Sequence, residues 1–161
     1  MIGRRNEVEM KLSHRLLRIV PFAAIIVVVA ALLGACSPAA KAVVLEGEQK
    51  DAVLAFSEPA ADNLLAGMNA GDYAVFSRDF NAAMLKAINE KGFASMQGSI
   101  TPKLGAYVSR TVTSVEEAGE YYRLTYRAEF EQDANVKVTM TFDKAAPNQV
   151  AGLFFNSDKL K

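Results

Sequence analysis

Tyr122-Arg123-Leu124-Thr125-Tyr126-Arg127-Ala128-Glu129-Phe130 alternates without a break. Tyr122, Leu124, Tyr126, Ala128 and Phe130 fall on one side. Arg123, Thr125, Arg127 and Glu129 fall on the other. A period of two with one apolar side is the pattern of a half-buried antiparallel strand. Val136, Val138, Met140 and Phe142 repeat it, with Lys137, Thr139 and Thr141 opposite. Glu131-Gln132-Asp133-Ala134-Asn135 is the expected turn between these two strands. An earlier strand is expected from about Tyr107 to Val115, closed by the turn Glu117-Ala118-Gly119-Glu120. A last one runs from Val150 to Phe155, after Pro147-Asn148. That last run is apolar on both sides, which suits a strand covered on both faces or lying at an interface.

Upstream of these strands the period changes. Val53, Phe56, Ala60, Leu64 and Met68 recur at threes and fours, the spacing of one helix face. Pro59 lies inside the run and either bends the helix or starts a new one after Ser57. Asn69-Ala70-Gly71 reads as a helix exit, and Asp72 as the cap of a short turn holding Tyr73 and Phe76. Asp79 or Asn81 caps the next helix, with Met84, Leu85 and Ile88. A further helix spans Glu90 to Ile100 or slightly beyond, striped by Phe93, Met96 and Ile100. The order is therefore helices and then four antiparallel strands. A sheet with one apolar face needs a cover, and the helices supply it. The fold class expected is α+β, with N-terminal helices packed on a curved four-stranded antiparallel sheet.

The first 35 of the 161 residues differ from the rest. Arg4, Arg5, Lys11, Arg15 and Arg18 precede a charge-free apolar run from Ile19 to Leu33. A basic start, a short apolar stretch and a small-residue exit make up a signal peptide. The run is shorter than the roughly 20 apolar residues that a membrane-spanning helix needs. Translation from Met1 or from Met10 gives the same mature chain. Leu33-Gly34-Ala35-Cys36 resembles the bacterial lipobox. That resemblance implies cleavage before Cys36 and a diacylglyceryl group on its thiol. Cys36 is the sole cysteine, so no internal disulfide competes for it. Ser37 follows directly, which in a two-membrane cell resembles sorting to the outer membrane. The expected organisation is a leader over residues 1–35, a lipidated cysteine and tether over 36–50, and one folded domain over 51–161. The expected location is outside the cytoplasm, lipid-anchored to the membrane.

The mature chain holds thirteen Lys or Arg against sixteen Asp or Glu. That mild acidity argues against a nucleic-acid surface, which is normally basic. The only histidine, His14, lies in the leader. Cysteine–histidine catalysis, a serine–histidine–acid triad and zinc held by histidine or thiolate are therefore excluded from the domain. No phosphate loop is present, and no cofactor is called for. Asp72 and Asp79 read as helix caps. Arg110, Arg123 and Arg127 can place positive charge on the sheet, with Arg123 and Arg127 on its solvated face. Phe76, Phe80, Met84, Tyr122, Tyr126 and Phe154 can line a small apolar pocket, or simply fill a core.

The run Leu64 to Tyr73, together with Phe76-Ser77-Arg78-Asp79-Phe80, resembles the opening of a prokaryotic domain-of-unknown-function family, number 3887. Leu104-Gly105-Ala106-Tyr107, the Tyr122–Phe130 strand and Val150 to Phe155 look like its later blocks. The similarity covers roughly residues 55 to 156. The resemblance implies a small cystatin-like, nuclear-transport-factor-2-like cone and no known activity. Three functions remain in play. One is a non-enzymatic module that binds a small ligand or an envelope protein and is able to dimerise through its sheet. The second is a histidine-independent enzyme with an Asp/Arg/Tyr site in the cone. The third is a structural accessory domain.

Overall fold

The computed structural model describes residues 41–161. The leader, Cys36 and Ser37 lie outside the described residues. Strand β1 is Val43–Val44. Four helices follow: α1 (Gly47–Ala70), α2 (Tyr73–Phe76), α3 (Ala82–Ala87) and α4 (Glu90–Leu104). The chain then runs through β2 (Tyr107–Ala118), β3 (Tyr121–Phe130), β4 (Asp133–Asp143) and β5 (Val150–Asn156), ending in a 3-10 turn, Asp158–Leu160. All strand pairs are antiparallel, in the order β1-β2-β3-β4-β5. No helix among the described residues is long and apolar enough to cross a membrane.

The sheet therefore has five strands where the sequence pattern predicts four. The extra one comes from residues read as tether. Val43 and Val44 pair with Glu117 and Glu116, and the Leu45 N–H donates to the Val115 carbonyl at 2.8 Å. Both valines stay exposed. A two-residue strand with neither side chain buried carries no alternation, so periodicity cannot reveal it.

The helix expected around Val53–Met68 is longer than its apolar stripe. It starts at Gly47 and passes through Pro59 as one element. Its buried line is Val53, Ala60, Ala61, Leu64, Leu65 and Met68. Each turn downstream has a local cause. Gly71 takes a left-handed φ of 66° and ends α1. Asp72 accepts from the Val75 N–H and starts α2, as expected. Asn81, rather than Asp79, caps α3 by accepting from the Met84 N–H at 2.9 Å. Asn89 caps α4 in the same way through the Gly92 N–H.

The inner sheet face carries Val115, Leu124, Tyr126, Ala128, Phe130, Val136, Val138, Met140 and Phe142, all buried. They meet the α1 line and the rings of Phe76, Phe80 and Phe93 in one apolar core. At ~25 cal/mol per Å², each fully buried side chain of this size contributes about 1.5–3 kcal/mol. Two contacts act at backbone level, one between helices and one between helix and sheet. A Cβ on Gly67 would lie 2.2 Å from the Phe76 nitrogen, so only glycine allows α1 and α2 to meet there. The Asn69 side-chain amide donates to the Tyr107 carbonyl and accepts from the Tyr107 N–H, each at 2.8 Å. It treats the start of β2 as a neighbouring strand would.

Strand β5 is an edge strand, and only one of its faces lies against the core. Leu153 and Phe155 pack toward the core, whereas Phe154 faces outward and is 63% exposed.

Candidate functional site

Six residues were the sequence's candidates for a pocket, and the fold distributes them. Phe76, Phe80 and Met84 are buried together in the core, with the Phe76 and Phe80 rings 5.0 Å apart, edge to face. Phe76 also stacks obliquely on Phe93 at 4.5 Å. Tyr122 is half-buried under Phe56, 5.9 Å away, with the Lys144 ammonium 5.7 Å from its ring centre. Tyr126 is buried elsewhere on the inner face, and Phe154 stands on the outer face. Phe76, Phe80, Met84 and Tyr126 share one core, Tyr122 packs against its margin, and Phe154 alone stands apart.

The inner face instead builds a polar cluster around Arg110. Strand β2 turns this side chain inward, where it is only 9% exposed. Its Nη2 donates to Glu58 Oε2 at 2.8 Å and to the Glu58 carbonyl at 3.2 Å. Its Nη1 donates to Asp62 Oδ1 at 2.6 Å and to the Tyr107 hydroxyl at 3.3 Å. Glu58 and Asp62 are one helical turn apart on α1, so a single fork holds both. The guanidinium carbon also lies 5.4 Å from the Tyr126 ring centre. Burial alone would lower the pKa of Arg110. The Asp62 hydrogen bond, Tyr107 and the charge of Glu58 outweigh it, and the group stays firmly charged.

Tyr126 reports the same environment from the other side. Burial first, and then the charge and contact of Glu58, push its phenol far above the ordinary value; Arg110 and Ser57 oppose this weakly. Four buried polar atoms here make no hydrogen bond: Ser57 Oγ, Glu58 Oε1, Arg110 Nε and Tyr126 Oη. Sequence reasoning placed Arg110 on the sheet without assigning it a side. It passed over Glu58 and Asp62, whose i, i+4 spacing was the available signal.

The other charged candidates are accounted for more simply. Asp72 is a cap. Asp79 accepts from the Asn63 amide at 2.8 Å, and Asn63 in turn accepts from Arg78. Arg123 is exposed and reaches Glu116 at 3.4 Å. Arg127 is exposed on the outer face, as its alternation predicts.

Clefts open on the surface among the described residues. One, of about 260 Å³, lies where α1 ends beside α4, bordered by Asn69, Gly71, Gln97, Thr101 and Ala106. Gln97 donates across it to the Met68 carbonyl. Another, of about 340 Å³, is lined by Thr113, Thr125, Tyr126, Arg127, Asn135 and Lys137. Among the described residues, no group of three or more Asp, Glu, His or Cys is placed to hold a metal ion.

Residues 61–153 match a family described as a protein of unknown function, DUF3887. No curated protein and no solved structure matches the chain. The matched segment begins in the middle of α1, at the turn that supplies Asp62, and takes in Arg110 and Tyr126. It leaves out Glu58.

Proposed function

The chain belongs to the DUF3887 family, and we propose that it works as a lipid-anchored, extracytoplasmic binding module rather than as an enzyme. The anchor is carried by Leu33-Gly34-Ala35-Cys36, with the sole cysteine at the position where a lipobox requires one. Two acyl chains would hold the mature protein stably on a membrane, where one gives only marginal attachment. Where the cell has two membranes, Ser37 favours the outer one.

Binding is favoured over catalysis by the geometry around Arg110. The enzymatic alternative is a histidine-independent Asp/Arg/Tyr site. Arg110 makes four hydrogen bonds, to Glu58, Asp62 and Tyr107, and thereby clamps α1 to β2. A guanidinium so engaged serves the fold before it serves a substrate. Recognition is then left to the surface, above all to the outer face of the sheet. We take the arrangement of helices on the sheet as a small cystatin-like, nuclear-transport-factor-2-like cone. Self-pairing through the outer face fits the exposed Phe154 and is read from the mass of the protein in solution.

The test is the intact mass of protein extracted from membranes. The expected species starts at Cys36 and carries a diacylglyceryl group, and Cys36→Ser moves the protein out of the membrane fraction. A full-length, unmodified species would overturn the anchor.

A further inference from the structure

We propose that the outer sheet face carries a binding site for a phosphate group, centred on Arg127 and Lys137. The proposal rests on the reading of this domain as a binding module and not on the lipid anchor.

Register is the first reason. Thr111, Arg127, Lys137 and Asn156 form one row across β2, β3, β4 and β5. Arg127 and Lys137 are direct cross-strand partners. Like charges in that relation repel and weaken the pairing. Among the described residues neither forms an ion pair, whereas Arg110, Arg123, Lys144 and Lys161 all do. The nearest acid along β3, Glu129, already accepts from the Ser109 hydroxyl. An anion between the two cations would turn their repulsion into shared attraction.

Shape is the second reason. The ladder between β2 and β3 slips between Val112 and Ser114, leaving Thr113 as the extra residue. Such a bulge bends the strand locally. The cleft of about 340 Å³ opens here, within the size range of small-molecule sites. Around the cations it sets Thr113, Thr125, Tyr126 and Asn135. Thr113 turns its hydroxyl to the Thr125 carbonyl at 2.9 Å, which fixes its rotamer. A planar guanidinium takes two phosphate oxygens at once, and an ammonium supplies the matching point charge. No acidic side chain lines the cleft. Phe154 projects from the same face, on the adjacent row opposite Thr139, and sets an apolar surface near the cations. Free phosphate and a lipid headgroup share this chemistry, and the two sources separate by experiment.

The experiment uses the full chain extracted in a nonionic detergent and isotope-labelled for amide NMR. Inorganic phosphate is titrated first, and then a short-chain anionic phospholipid below its micelle concentration. Saturable shifts at Thr113, Thr125, Arg127 and Lys137 are expected with phosphate. The double variant Arg127→Gln, Lys137→Gln should bind at least about tenfold more weakly while melting at the same or a higher temperature. A phospholipid that binds about tenfold more tightly than phosphate assigns the site to headgroups; equal or weaker binding assigns it to free phosphate. Shifts that fail to saturate, or that persist in the double variant, overturn the site. Lipidation at Cys36 is scored separately by mass, so failure of either reading leaves the other standing.

Discussion

Arg110 and Arg127 lie on neighbouring strands of one sheet, yet they occupy opposite chemical situations. Arg110 points inward, is almost fully covered and holds two carboxylates. Arg127 points outward, is exposed, and faces another cation across the ladder. The first charge is committed to joining a helix to the sheet. The second has no such duty. Within one domain, then, burial and partners decide whether an arginine belongs to the fold or to the surface, and residue type does not.

The largest effect that would sharpen this contrast is removal of each arginine in turn. Arg110→Ala should destabilise by about 3 kcal/mol, because it strands a partly buried Glu58 and opens the contact with Tyr126. Arg127→Ala should stay within about 0.5 kcal/mol of the parent. Urea denaturation of both variants checks this, and equal losses would break the comparison. A second test uses pH. The folded protein holds the Tyr126 phenol above its unfolded value of about 10. The neutral form is therefore favoured by folding. That stability is fully present below about pH 10 and is lost as pH rises toward the folded value. Tyr126→Phe should flatten the alkaline limb of a stability-versus-pH curve and change stability at pH 7 by less than about 1 kcal/mol.

Smaller effects distinguish the two acids on α1. Asp62 is 70% exposed and Glu58 only 36%. Asp62→Asn should cost less than about 0.5 kcal/mol, since solvent screens that half of the fork. Glu58→Gln should cost more. The smallest effect has the opposite sign. Lys137→Gln relieves the repulsion with Arg127 and should raise stability by about 0.3 kcal/mol, read as a small rise in melting temperature. A loss instead would mean that Lys137 has a structural partner.

Much of the fold is legible in the chain. Uninterrupted alternation from Tyr122 to Phe130 and from Val136 to Phe142 located β3 and β4 and named their inner faces. Capping chemistry at Asp72 and the left-handed glycine at position 71 placed the break between α1 and α2. What escaped did so for physical reasons. Strand β1 is too short to have a period. Strand β2 slips twice against β3, between Tyr107 and Ser109 and again between Val112 and Ser114. Each slip resets which residues face inward, so Arg110 cannot be assigned a side by counting. The cationic row was hidden by the turn. A five-residue loop over 131–135 sets Phe130 near Val136, whereas the true pairing is Phe130 with Asp133, followed by a bulge that brings Arg127 opposite Lys137. Side chains on regular elements were readable, and those placed by irregularities were not.

The Asn69 clamp on Tyr107 has a counterpart at the far side of the sheet. There the Val150 N–H donates to the Asp79 carbonyl at 2.7 Å, and its carbonyl accepts from the Asn81 N–H at 3.0 Å. Two loose margins of a sheet are thus stitched by segments that are not strands. Open margins are templates on which copies of a chain polymerise. Here a foreign strand finds Tyr107, Val115 and Val150 already engaged, so it can grip only the stretches between them. Resistance to fibril growth would then be set by a single asparagine side chain, the backbone of Leu45 and the tripeptide Asp79-Phe80-Asn81.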